Sequence, residues 1–224
     1  MYSGPVAAHS YLALAEDGVP ATAIILGPNH TGVGSGVSLM TEGAWETPLG
    51  RVEIDSELAA KIQKASAIID TDEEAHRHEH SLEVQLPFLQ YLYQNSVKIV
   101  PICLMMQDLA TAAEVGDAIA KAATPSTVIV ASTDMTHYEP HDAAQTKDRK
   151  AIDAILALDE EKLYRLIRSE NITMCGYGPV TALMRTAKLS QVTEGTLLSY
   201  HTSGDITHEL DAVVGYAAIQ FARQ

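Results

Sequence analysis

Three short, predominantly apolar runs constrain the fold more than any other feature: residues 21–26, 97–104 and 127–131. A strand with one wet face alternates apolar and polar side chains. A run without alternation is covered on both faces, as in the interior of a parallel sheet. Helical signals separate the runs. Ser3 or Gly4 can cap a first helix with Pro5 in its opening turn, ending near Asp17 and Gly18. Asp55 caps a helix through Ala65, the stretch after His80 continues as a helix to Tyr93, and Asp108 caps an Ala-rich helix through Ala123. Residues 143–168 hold two helices meeting near Leu158 and Asp159, and another helix follows residues 174–179 to Lys188. Residues 37–40 and 45–54 predict a short antiparallel excursion. Residues 192–201 and 212–221 predict two last strands flanking a turn at Thr202-Ser203-Gly204-Asp205. This rhythm predicts a single α/β domain over residues 1–224, with a mainly parallel central sheet, helices on both faces, and one or two antiparallel strands at the end.

With 46% hydrophobic residues in 224, the chain can supply a sizeable core. Its net charge of −14, with 15 unclustered Lys and Arg, argues against work on nucleic acid, which needs cations gathered on one face. No apolar run reaches the roughly eighteen residues of a membrane span, and the N-terminal residues lack the basic start and apolar core of a signal peptide. The expectation is a cytoplasmic protein. The two cysteines, Cys103 and Cys175, are too sparse for a disulfide scaffold and read as reduced thiols.

Polar chemistry gathers where the apolar runs end. His30 follows the first run and Asp134 and His137 follow the third, and loops at the carboxyl ends of parallel strands are where such sheets bind ligands. Cys175 opens a helix, whose dipole favours a thiolate. Imidazole and thiolate both suit borderline transition metals. Residues 72–83 add His76, His78 and His80 among acidic side chains, of which His76 and His78 read as solvated. The Gly-rich residues 31–36 let backbone approach a ligand, but their spacing is neither a dinucleotide fingerprint nor a Walker loop.

Five blocks carry a resemblance: Gly27-Pro28-Asn29-His30; Glu79-His80-Ser81-Leu82-Glu83 with Gln85-Leu86-Pro87-Phe88; Ser132-Thr133-Asp134-Met135-Thr136-His137-Tyr138; Met174-Cys175-Gly176; and Tyr200-His201-Thr202-Ser203-Gly204-Asp205. In this order, end to end, they resemble the Memo family, which is related in fold to the class III extradiol dioxygenases. The resemblance implies a nonhaem pocket for Fe(II) or copper, with His30 and Cys175 as two of three metal ligands. His137 with Asp134 takes the place of an acid–base pair, and Glu79, His80 and Glu83 line or orient the pocket. The family's first metal histidine lies in a Pro-His-Ala-Gly-Tyr motif on a strand just before the segment matched by Met1-Tyr2-Ser3-Gly4. The expectation is therefore a domain N-terminally truncated relative to the family, missing its first strand, with an open sheet edge that favours a homo-oligomer.

The resemblance implies a metal-dependent redox or dioxygenase-like enzyme acting on an unidentified small molecule or peptide. AMMECR-type and radical SAM proteins are implied partners. The alternative is a non-catalytic module that recognises a peptide or protein through the same pocket. A hydrolase built on Ser132 and His137 ranks last, because no strained nucleophile elbow exposes the serine.

Overall fold

The computed structural model describes residues 2–222. Helix α1 (Gly4–Glu16) leads into β1 (Thr22–Pro28), followed by β2 (Val37–Leu39) and the hairpin β3 (Ala44–Thr47) and β4 (Gly50–Glu53). Next come α2 (Ser56–Lys64), β5 (Asp70–Thr71), the single turn α3 (Glu74–Arg77), a 3-10 turn at Glu83–Gln85, and α4 (Leu86–Tyr93). The middle of the chain holds β6 (Lys98–Leu104), α5 (Leu109–Ala122), β7 (Thr127–Ala131), β8 (His137–Glu139), α6 (His141–Leu156) and α7 (Glu160–Ser169). It ends with α8 (Tyr177–Leu189), β9 (Thr196–Thr202), the turn α9 (Gly204–Thr207) and β10 (Val213–Gln220).

The three apolar runs form the heart of one sheet, ordered β5-β2-β6-β1-β7. β1 lies parallel to both β6 and β7, and the short β2 joins β6 antiparallel. The sheet is mainly parallel and helix-covered, as the rhythm predicts. β1 is buried along its whole length, so no solvent-facing side of it requires alternation. Ile24, Leu26, Leu39, Ile62, Ile102 and Ile119 join one face of the core beneath α2, α5 and α8. Ile25, Leu82, Leu86 and Ile99 fill the other beneath α1 and α4. Each such aliphatic side chain taken fully out of water is worth about 1.5–3 kcal/mol.

Helix starts follow the caps read from sequence. Asp55 accepts from the Leu58 N–H, Asp108 from Ala110 and Thr111, and Asp159 from Lys162. Other expectations need correction. β1 runs two residues past the apolar run, through Gly27 and Pro28, because Gly27 lets Ser81 pack close: a Cβ there would sit 2.6 Å from Ser81 Oγ. The antiparallel excursion is present, as β2 on β6 and as the hairpin of β3 and β4, after which Ile54 bridges to Ile99 of β6; β9 and β10, however, belong to a separate three-stranded sheet, β8-β10-β9. The turn expected at residues 202–205 leads from Thr202, the end of β9, into α9 at Gly204, closed by His208 in the left-handed conformation. His76 is not solvated. It is 7% exposed, set edge-on to Trp45, and neither ring nitrogen has a hydrogen-bond partner. Ser38's backbone lies beside the ring without meeting hydrogen-bond geometry, and burial pushes the imidazole down to about 4. His78 is exposed, as expected.

Candidate metal centre

His30 stands two residues past β1, where the chain leaves the sheet. Asn29 shapes this exit: its Oδ1 accepts from the backbone of Thr31 (2.9 Å) and Gly32 (3.0 Å), and Gly32 and Gly34 take positive φ. Glu79 clamps the histidine from across the fold. Its side chain is wholly buried, and Oε1 lies 2.9 Å from His30 Nδ1 while Oε2 accepts the His30 backbone N–H. Oε1 also accepts the backbone N–H groups of His80 (2.8 Å) and Ser81 (2.9 Å). Burial alone would raise the Glu79 carboxyl, but the His30 backbone, the His30 ring and the Ser81 backbone outweigh it and hold the group down at about 2. An ionised carboxylate only accepts, so Nδ1 carries a proton toward it, and in the neutral ring Nε2 is then the nitrogen with the lone pair. That is the arrangement by which proteins orient a metal-binding imidazole.

The second half of the site is a junction between two loops. The Asp134 N–H donates to Cys175 Sγ (3.1 Å), and the Cys175 N–H donates to the Asp134 carbonyl (3.3 Å). Thr133 Oγ1 accepts the Gly176 N–H (2.9 Å), and Gly176 is required there, since a Cβ would sit 2.6 Å from the Ser132 carbonyl. Gln107 Nε2 holds the Cys175 carbonyl (3.0 Å). His137 Nδ1 meets the Thr173 carbonyl at 2.8 Å, which only accepts, so Nδ1 carries the proton and Nε2 faces Asp134 Oδ2 at 3.9 Å. Burial pushes the Asp134 carboxyl up, opposed by His137, His80 and His30 in that order. His30, His80, Asp134 and His137 thus share one electrostatic neighbourhood.

Cys175 differs from the sequence expectation. It precedes α8 near its amino end, but burial dominates and pushes the thiol up despite the Asp134 N–H. Cys103 is a buried core thiol, pushed up to about 12 by burial and then by Glu79 and Asp72.

Among the described residues, one group of ligand atoms lies mutually within 4.8 Å: His30, Glu79 and His80. The His30 and His80 rings stack at 4.9 Å. Glu79 has its lone pairs committed to four N–H groups, so it serves as the clamp and the imidazoles offer the free donors. Cys175 and Asp134 lie outside that group. The two imidazole donors beside the Glu79 carboxylate fit a bound metal ion. Glu83 is exposed and makes no hydrogen bond to these groups among the described residues. The roles of Thr173, Gln107 and Thr133 as holders escape a sequence reading, although Thr173 directly precedes a quoted block. Gln85, inside another, bridges Tyr11 (2.8 Å) to Ser132 (2.9 Å) beneath the site. The open recess of about 560 Å³ along α7, lined by Lys162, Arg165 and Arg168, lies away from all of these groups.

A family model described as "Memo-like protein" matches residues 1–220. A MEMO1 family protein of Methanopyrus kandleri is 55% identical over 225 residues, covering 99% of this chain and 80% of the relative. One from Methanothermobacter thermautotrophicus is 54% identical, covering 97% and 79%. Among solved structures, an uncharacterized protein from Escherichia coli K12 shares the fold at TM-score 0.61 and 15% identity, covering 93% of this chain and 91% of that one. No helix among the described residues is long and apolar enough to cross a membrane. With a family model spanning nearly its whole length and relatives more than half identical, the chain belongs to the Memo family.

Proposed function

We propose that this protein is a metal-dependent redox protein of dioxygenase-like chemistry, using a nonhaem iron or copper ion. His30 and Cys175 are this chain's ligands. The supporting observation is the Glu79 clamp: a buried carboxylate fixes the His30 ring and leaves Nε2 as its free donor. A bound ion of this kind supplies Lewis acidity and one-electron redox chemistry. The chain's own groups do the rest. Asp134 holds the Cys175 sulfur through its backbone N–H. His137, its Nδ1 proton committed to Thr173, presents Nε2 beside Asp134 to take or give a proton.

The test is elemental analysis after loading with Fe(II) or Cu under reducing conditions, comparing the protein with His30→Ala and Cys175→Ala. The expected outcome is about one equivalent in the parent, consistent with a mononuclear site, and a large loss in both variants. Equal metal content in all three proteins refutes the ligand assignment.

A further inference from the structure

The loop from β7 to β8 carries both Asp134 and His137, and what fixes its path lies in the two residues between them. Met135 is buried and packs with Ala151, Ile152 and Ile155 of α6. Its N–H donates to the Gly215 carbonyl (2.9 Å), and the Gly215 N–H donates to the Thr136 carbonyl (2.9 Å), so β10 holds the loop along one side. One main-chain donor is left, the N–H of Thr136, in a residue with no exposure at all.

Asp148 of α6 meets that donor. Its Oδ1 accepts the Thr136 N–H at 2.9 Å, and its Oδ2 accepts the Tyr200 hydroxyl of β9 at 2.8 Å. The side chain is wholly buried, and neither partner carries a charge. Burial pushes the carboxyl up, opposed by Thr136 and Tyr200. Thr136 Oγ1 lies beside it without meeting hydrogen-bond geometry. Space is set aside for this group, since a Cβ at Gly215 would collide with Asp148 Oδ2. A carboxyl in a dry interior with no cation beside it is unfavourable, and an apolar side chain of similar volume would serve stability as well or better. What the carboxyl adds is direction, because it gives one amide a single place to point.

That amide governs the residues around it. His137 follows directly, with its N–H on Thr173 Oγ1 (2.7 Å) and Nδ1 on the Thr173 carbonyl (2.8 Å). Asp134 stands two residues before, and its Oδ2 lies 3.9 Å from His137 Nε2. Asp148 bonds to neither side chain and acts through the peptide between them.

We infer that Asp148 is the positioning residue of the Asp134–His137 pair: its buried carboxyl fixes the Thr136 amide, and the fixed turn commits His137 Nδ1 to Thr173 and sets Nε2 toward Asp134. Tyr200 steadies the carboxyl from β9. The inference rests on the reading of His137 as the group that takes or gives a proton, a task that needs one defined tautomer.

The test reads the His137 ring by nitrogen NMR on metal-free protein, at a pH where the ring is neutral, with its signals assigned by their loss in His137→Gln. The parent should show the Nδ1–H tautomer alone. Asp148→Leu removes the acceptor and should lose that single form, giving both tautomers in exchange. Asp148→Asn keeps an oxygen for the Thr136 N–H and should restore the parent signals. Tyr200→Phe keeps the carboxyl but frees its second oxygen, so it should shift the ring in the same direction by less, and it decides the matter if Asp148→Leu does not fold. Gly116→Ala weakens the fold between α5 and α8 and should leave the ring as in the parent. A mixed tautomer in the parent, a parent-like ring in the folded Asp148→Leu and Tyr200→Phe variants, no recovery in Asp148→Asn, or an equal change in Gly116→Ala overturns the inference. No metal enters the measurement, so failure of the metal reading and failure of this one are separate results.

Discussion

Replacing Glu79 by Gln isolates the interaction that holds the candidate site together. The substitution keeps the shape of the side chain, removes its charge, and turns an NH2 group toward an array of N–H donors. The folded carboxyl sits at about 2 against an ordinary value of 4.5, a gap equivalent to about 3 kcal/mol of stability. Because the folded value is depressed, that contribution is fully present above pH 4.5 and is lost as pH falls from 4.5 toward 2. The side chain is fully buried, so little of it is screened by solvent. Urea unfolding of metal-free protein should therefore show Glu79→Gln destabilised by about 3 kcal/mol at neutral pH, a midpoint shift of about 1 M for a chain of this size. The difference should narrow steadily below pH 4.5. Equal midpoints at neutral pH, or a difference that stays constant into acid, would refute the reading of Glu79 as an ionised clamp.

Two further outcomes test the surroundings. Burial lowers His76 to about 4 from 6.5, so this group costs the fold about 3 kcal/mol as pH falls from 6.5 to 4; His76→Leu should flatten the melting temperature across that window without loss at neutral pH, since neither ring nitrogen is bonded. At Gly116 a Cβ would meet the Ala182 carbonyl at 2.7 Å where α5 packs on α8, so Gly116→Ala should cost about 1–3 kcal/mol by overpacking, read as a lower melting temperature.

The central sheet was legible because dryness on both faces leaves a mark on consecutive residues. β1, β6 and β7 each read as a predominantly apolar run without alternation, and three of the helices announced themselves by Asp55, Asp108 and Asp159. The breaks in the reading have local causes. Gly27 and Pro28 resemble punctuation, yet β1 continues through them because Ser81 needs the space a side chain would fill. Thr202 to Asp205 carry turn residues, but Asp205 bonds back to the Thr202 N–H and starts a helical turn instead. The division into three sheets was invisible as such, because pairing partners are set by what lies beside a strand and not by its own composition.

The site divides along a similar line. His30, Asp134, His137 and Cys175 stand out because reactive residue types at strand ends are conspicuous, and the resemblance names them. What orients them is mostly backbone: the Asp134 N–H on the Cys175 sulfur, the Thr173 carbonyl on His137, and three main-chain donors around Glu79. Main-chain groups are identical at every position, so no residue type advertises their role. His76 shows the converse. Its acidic, histidine-rich neighbourhood suggested water, but the turn α3 lays the His76 ring against Trp45, while His78 and His80, nearer to the buried Glu79, stay exposed. A polar stretch at the edge of a parallel sheet is therefore no guide to its own exposure.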